Sequence, residues 1–400
     1  MHIKKVYNQK EWFFKTFFLM FILLLITGVF NYIVDSAMIF NSSYELRKVA
    51  DALINGKMIA GLKNCDERQL QKAIIENSEG KINIIFVGSS RGMQIRGRFL
   101  SVGDGSQKFF NHGMSGSSLE DYLAIIGLYE SKSSLPLKII IGVDPWIFNK
   151  NNGQSRWTAI GKYYENSLRN IYGTKVEVDL SDNLKYLQLI NLDYTKANLD
   201  TITAQNKKVK FYITDTSEVD DSIREPDGST HYPFNVRFQK DITTQSNAKE
   251  YANAPVYSLE NFTELSNTKL FEDFINYLQK KNIEVMFLLC PYHPITYNLL
   301  VKDPKYKIIM DAEIYLRNIA SARRMKISGS YDPESDHFSS MDFTDGMHGK
   351  DIVMEKLCKK FKDNISQQEI HRLTATGIYD GAKSSGNHCM VQGREKSAAL

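Results

Sequence analysis

Cysteine is scarce in this chain of 400 residues: Cys65, Cys290, Cys358 and Cys389 stand far apart, and no two are spaced C-x-x-C. That leaves no signal for a zinc ribbon or a thioredoxin-type redox pair. An oxidising compartment would permit a disulfide, but the spacing names no pairing. Histidines nowhere take a metal-ligand spacing, so neither a metal nor another cofactor is expected. Charge of one sign is lacking too. The formal balance is +4 at pH 7, with Lys and Arg spread along the chain, so a nucleic-acid partner is not expected. No internal repeat is visible. At 42% hydrophobic and 24% charged residues, the composition supports a substantial core and excludes wholesale disorder.

What the chain has is one long apolar run. Residues Phe17 to Val34 read FFLMFILLLITGVFNYIV, interrupted only by Thr27, Asn31 and Tyr32. As a helix these eighteen residues span about 27 Å, close to the hydrocarbon thickness of a bilayer. Lys4, Lys5, Lys10 and Lys15 precede the run and Asp35 follows it. The asymmetry predicts a single-pass anchor over residues 1–35, with the N-terminus cytoplasmic and the rest extracytoplasmic, in the periplasm or at the cell surface. A cleaved signal peptide would have a shorter apolar region and an A-x-A site, which is not evident. The uniformly apolar circumference argues against a core helix of a soluble protein.

Residues 36–78 are amphipathic with helical spacing and predict a stalk or a first helical layer. From 79 to 363 short apolar runs alternate with helical stretches. Strands are expected at Ile82–Val87, Lys108–Asn111, Leu137–Val143, Ile283–Leu289 and Lys326–Ser328. Helices are expected at Ser117–Lys132, entered by a Ser117/Glu120 capping box, and at Asn267–Lys281, Pro304–Arg324 and Lys350–Phe361. This alternation predicts an α/β fold: a doubly wound parallel sheet of about five strands, covered on both faces. Between about 150 and 265 the rhythm breaks, and an insertion is expected over the top of the sheet, as a lid or a small helical subdomain. Residues 364–400 lose periodicity and read as a mobile tail.

Three loops carry chemistry. Val87-Gly88-Ser89-Ser90-Arg91 follows the first strand, where a small-residue turn exposes a hydroxyl near a helix N-terminus. Asn111-His112-Gly113-Met114-Ser115-Gly116 follows the second strand, and its glycines offer unobstructed N–H groups of the kind an oxyanion requires. Asp345-Gly346-Met347-His348 precedes the closing helix. Its spacing lets the carboxylate orient one imidazole nitrogen and leaves the other free to take a serine proton. Each motif alone is weak; together and in this order they are informative.

In that conjunction the chain resembles the SGNH, or GDSL-like, hydrolase superfamily, from about Ile82 to Phe361. The resemblance implies that Ser90 is the nucleophile, His348 the base and Asp345 its orienting acid, with Gly116 and the Ser90 backbone holding the oxyanion. Asn111 and Asp144 are set beside the oxyanion, with the orientation of a neighbouring loop as the other reading of Asp144; Arg91, next to Ser90, is expected either to hold an anionic or carbonyl group of the substrate or, more commonly, to pair with an acid on the next helix. Asp144 stands where the family carries an asparagine, and a carboxylate there would repel an oxyanion unless protonated or turned away. The Gly-Ser-Ser start, the single anchor and the Asp144-Pro145-Trp146 turn look most like DltD-like teichoic acid D-alanyl transfer proteins. That narrower likeness implies an acyltransferase or esterase acting on a cell-surface polysaccharide, beside a multispanning membrane O-acyltransferase. A non-catalytic SGNH-fold assembly or binding protein is the alternative.

Other residues compete with these. Gly113-Met114-Ser115-Gly116-Ser117 departs from the G-x-S-x-G elbow of α/β-hydrolases at its last position, where Ser117 stands, which makes it the weaker reading. His112, His293 and His337 could approach the same rim, with a fixed loop position the plainer reading of His293. Tyr331 and Asp332 are expected to support the D-x-x-H loop, and Trp146 and Trp157 to pack in the core or form a sugar-stacking wall.

Overall fold

The computed structural model describes residues 9–35, 40, 42–62, 65–80, 82–100, 108–174, 182–203, 211–253 and 256–361. The expected basic start before residue 9, the tail 364–400 and Cys389 lie outside them.

Five strands form the central parallel sheet: β2 (Ile84–Gly88), β3 (Phe109–Gly113), β4 (Lys138–Gly142), β8 (Glu284–Leu289) and β9 (Lys326–Gly329). Their order is β3-β2-β4-β8-β9, and every neighbouring pair runs parallel. Chain order therefore reverses at β2, whose neighbours β3 and β4 lie on opposite sides. A doubly wound sheet opens its ligand crevice at such a point, beyond the carboxyl ends of the strands.

Period-2 alternation divides the core. Ile85, Val87, Ile139 and Ile141 face a large cluster with the helices Leu119–Ser131, Gly161–Tyr172, Thr268–Lys280 and Ile308–Ala322. Ile84, Phe86 and Ile140 face a smaller one with Val353, Leu357 and Phe361 of the helix over 351–361. Strands buried on both faces read as continuous apolar runs, which is why INIIFV and LKIIIGV were legible.

Two expectations shift. The Leu119–Ser131 helix begins one residue later than the Ser117/Glu120 box implies: Ser118 is its N-cap, and the Asp121 carboxylate accepts from the Ser118 N–H at 3.0 Å. The Ser117 hydroxyl instead donates to the Met114 carbonyl at 2.9 Å. Residues 42–77, expected as a stalk or a first helical layer, form a layer. The helices Ser42–Ile54 and Glu67–Asn77 bury Leu46, Val49, Leu53, Leu70 and Ile74 with Phe110 of β3. Between them β1 (Met58–Ala60) joins β5 (Tyr212–Thr214), β6 (Ile223–Arg224) and β7 (Thr230–His231) in a second, antiparallel sheet, order β5-β1-β6-β7.

The rhythm-breaking region is therefore not one body. Gly161–Tyr172 packs into the main core, β5 to β7 complete the second sheet, and the Asp241–Asn253 helix leans on the loop that carries His348. The N-terminal helix Gln9–Val34 contains a span, Lys10–Val34, long and apolar enough to cross a membrane, and only a small share of it is buried.

Candidate active site

The turn after β2 is shaped by one aromatic ring. A Cβ on Gly88, Gly92 or Gly142 would meet the Phe86 ring at 2.5, 2.1 and 2.6 Å. Glycine at these three positions lets the ring lie beneath the turn while the backbone closes over it. The Ser89 hydroxyl then accepts from the Arg91 N–H at 3.2 Å, and the chain makes a single 3-10 turn, Ser90–Gly92. The sequence suggested a helix N-terminus here. One turn is too short to carry an appreciable dipole, so any field at Ser90 comes from elsewhere.

This turn presents Ser90 to the D-x-x-H loop. Ser90 Oγ lies 2.9 Å from His348 Nε2, and His348 Nδ1 lies 2.8 Å from Asp345 Oδ2. The other Asp345 oxygen accepts from the N–H groups of Met347 (2.8 Å) and His348 (2.9 Å). Burial alone would raise the Asp345 carboxyl. The imidazole of His348 and the two N–H donors outweigh it and hold the carboxyl at about 2. Ser90 and the D-x-x-H pair, remote from it in sequence, thus form one hydrogen-bonded chain at the carboxyl edge of the sheet.

The loop after β3 was expected to supply an oxyanion donor. Its N–H groups are mostly committed: Gly113 to Asn111 Oδ1, Met114 to the Gly88 carbonyl, Ser115 to Glu67, and Ser117 to the Met114 carbonyl. Among the described residues, no partner is found for the N–H of Gly116 or of Ser90. Gly116 has φ +54°, and a Cβ there would meet the Tyr257 hydroxyl at 2.2 Å and an Arg156 nitrogen at 2.6 Å. Glycine is required both by the backbone angle and by the crowding.

Three of the candidate substrate residues are held by internal partners. The Asn111 amide donates to the carbonyls of Gly92 (2.9 Å), Met93 (3.3 Å) and Ile95 (2.9 Å), and its oxygen accepts from Gly113. It is a fully buried brace for the serine turn. Arg91, only 1% exposed, pairs with Asp144 at 3.0 Å. It also donates to the carbonyls of Met347 (3.1 Å) and Cys290, and its guanidinium lies 4.0 Å from the centre of the Tyr292 ring. Asp144 in turn is raised by burial, with Arg91 and Ser89 opposing the shift. The carboxylate that would repel an oxyanion is turned to an internal guanidinium. Arg91 so ties the ends of β2, β4 and β8 to the residue before His348.

The remaining rim candidates also have internal roles. His112 lies between Gln71 and the Tyr129 hydroxyl, 2.7 Å from each, and burial lowers its imidazole to about 3. His293 caps the Pro294–Leu300 helix through Nδ1 and meets Ser340 through Nε2. His337 caps the short 3-10 turn Pro333–Asp336. Asp332 caps that turn at its start, and the Tyr331 hydroxyl donates to the Val143 carbonyl beside Asp144. Trp146 is buried with its indole N–H on the Ser117 carbonyl, and the half-buried Trp157 packs edge-on against Tyr164 beside the main core.

Sequence reasoning missed the residues that hold these loops from outside. Arg68 pairs with Asp121 (2.8 Å) and donates to the Ser115 carbonyl (3.1 Å), while Glu67 takes the Ser115 N–H. Both come from the supposed stalk. Tyr251 on the Asp241–Asn253 helix packs on Gly346, and its buried hydroxyl has no hydrogen-bond partner among the described residues. Nothing in the local pattern distinguishes these residues from ordinary surface charge and helix-face tyrosine.

No family model matches the chain, and no curated protein matches it. Among solved structures, it is similar to a candidate acylhydrolase from Bacteroides fragilis, with 12% identity, 72% of this chain and 89% of that one covered, and a TM-score of 0.31. It is also similar to a candidate platelet activating factor from Streptococcus pneumoniae, with 13% identity, coverage of 74% and 90%, and a TM-score of 0.32. Likenesses this loose leave the case for function to the chain's own geometry.

Proposed function

We propose that the protein is a membrane-anchored serine acyltransferase or esterase of the SGNH type, working outside the cytoplasm on O-acyl groups of a cell-surface polysaccharide. The observation that carries the chemistry is the unbroken chain from Ser90 through His348 to Asp345, with separations of 2.9 and 2.8 Å. His348 Nε2 takes the Ser90 proton as Oγ attacks an ester or thioester carbonyl. Asp345, ionised well below neutral pH, keeps the proton on Nδ1 and stabilises the imidazolium that forms. The oxyanion is held by the N–H groups of Ser90 and Gly116, neither of which has an internal partner among the described residues. The imidazolium then protonates the leaving oxygen or sulfur. An acceptor hydroxyl, or water, gives its proton to His348, attacks the acyl-serine and releases Ser90.

Pairing of Asp144 with Arg91 removes the main sequence objection to catalysis, since that carboxylate no longer confronts the oxyanion. The N-terminal apolar helix supports anchoring. The polysaccharide substrate, and a multispanning O-acyltransferase as partner, rest on the resemblance to DltD-like proteins alone. A fluorophosphonate probe tests the serine directly. It is expected to label the wild type, with Ser90→Ala and His348→Ala reduced by at least about a thousandfold in rate. Equal labelling of wild type and Ser90→Ala, or none of either with glycan acylation unchanged in a Ser90→Ala strain, would favour a non-catalytic assembly protein.

A further inference from the structure

The segment 182–203 packs on the C-terminal third of the apolar helix rather than on the α/β core. Asn31, three residues before that helix ends, is fully buried. Its amide donates to the Leu189 carbonyl (2.9 Å) and to Thr195 Oγ1 (2.8 Å), and its oxygen accepts from Asn198 (2.9 Å). The Tyr194 hydroxyl donates to Asp35 at 2.8 Å, and Gly28 lets Leu189 approach to 3.9 Å of where a Cβ would stand. A polar residue inside an apolar run is costly in hydrocarbon unless its amide is satisfied, and here this segment satisfies it.

The outer side of the same segment is apolar. Leu187, Ile190, Leu192, Leu199 and Ile202 are exposed, Leu192 at 82%. In the Leu192–Thr203 helix, Leu192, Leu199 and Ile202 share one face, beside the face that Tyr194 and Asn198 turn to the anchor. Asp193, Lys196 and Asp200 take the remaining side and are exposed. Tyr32, Phe40 and Tyr186 stack in a chain at the same level, with ring centres 5.5 and 6.1 Å apart. Aromatic rings at the end of an apolar helix, next to an amphipathic helix, are the pattern of a bilayer boundary.

We propose that residues 182–203 are a second membrane contact, with Leu187, Ile190, Leu192, Leu199 and Ile202 set into the interfacial layer of a phospholipid bilayer beside the anchor. This rests on the reading of residues 10–34 as membrane-spanning and goes beyond it. Continuity decides the occupant. The segment is hydrogen-bonded within about 5 Å, along the helix axis, of the anchor's end, so an apolar face there meets lipid as soon as the helix is inserted. A single helix leaves a domain free to swing; two contacts locked by Asn31 fix its pose. The region between 150 and 265 then reaches the bilayer through 182–203 and the His348 loop through the Asp241–Asn253 helix.

The test uses the full chain in phosphatidylcholine vesicles, with dansylalanine replacing Phe18, Leu192 or Leu199 one at a time. Quenching by doxyl-labelled phosphatidylcholine is compared with quenching by aqueous iodide. Probes at 192 and 199 are expected to emit to the blue and to be quenched by the doxyl lipid rather than by iodide, as at position 18, with the circular dichroism of the wild type. Doxyl quenching at 18 with iodide quenching at 192 and 199 overturns the second contact while leaving the anchor intact, and reserves the face for a protein partner. Iodide quenching at all three overturns both.

Discussion

Arg91 and Asp144 sit where a substrate contact was expected, and they join the loops on which the candidate site depends. Both are buried, so removing one leaves an uncompensated charge. Breaking such a pair typically costs about 3–5 kcal/mol. Arg91→Met and Asp144→Asn are each expected to lower urea stability by that order, and the double variant by less than their sum. A strictly additive cycle would mean that the pair is not coupled. His112 gives a pH signature. Burial keeps it neutral in the folded chain, at about 3, whereas an unfolded histidine titrates near ~6.5. Between these values the unfolded chain binds more protons. The stability His112 supports is therefore complete above ~6.5 and is lost as pH falls from there towards 3. His112→Gln is expected to be less stable at pH 7 but to lose less on acidification from pH 7 to 4, as read from urea midpoints at each pH. At this scale the grouping of Ser90, His348 and Asp345 was legible because Gly-Ser-Ser and D-x-x-H are local patterns. The partners of Asn111, Arg91 and Asp144 were left open because a polar residue at the end of a strand looks the same in sequence whether it faces solvent or an internal partner.

Elements from outside the sheet position the loops that the sheet presents. The Glu67–Asn77 helix grips the Ser115 backbone, and the Asp241–Asn253 helix bears on the D-x-x-H loop through Asp241–Ser340 and Tyr251–Gly346. Gly346 marks the closest approach. A Cβ there would meet Tyr251 Cβ at 2.7 Å and Thr296 Oγ1 at 2.8 Å. Gly346→Ala must push the loop or the helix away. It is expected to cost about 1–3 kcal/mol and to slow fluorophosphonate labelling of Ser90 without abolishing folding, as followed by thermal unfolding and labelling rate together. Labelling at the wild-type rate would show that helix and loop are not coupled. The main strands and helices were readable from apolar runs and period 3.6. The second sheet was not, because its strands are two or three residues long and draw on parts of the chain more than 150 residues apart, Met58–Ala60 and Tyr212–Thr214 among them.

Across the whole molecule, the sheet order puts β2 between β3 and β4, so the serine turn, the glycine loop and the Asp144 turn rise side by side at the point of reversal. Chain order alone anticipated a parallel sheet of this size, since a strand–helix rhythm leaves few alternatives. It left residues 42–77 open between a stalk and a first layer, and did not foresee that 182–203 would leave the core for the anchor, because both depend on contacts between distant segments. The proposed reaction passes through an acyl-enzyme on Ser90. Full-length protein mixed with p-nitrophenyl acetate, quenched in acid over a time course and digested, gives the direct reading by peptide mass spectrometry. The account predicts acetyl on the peptide that contains Ser90, at the serine itself, rising before steady turnover and absent from His348→Ala. Ser90 unmodified at every time, or hydrolysis that persists in Ser90→Ala, contradicts it.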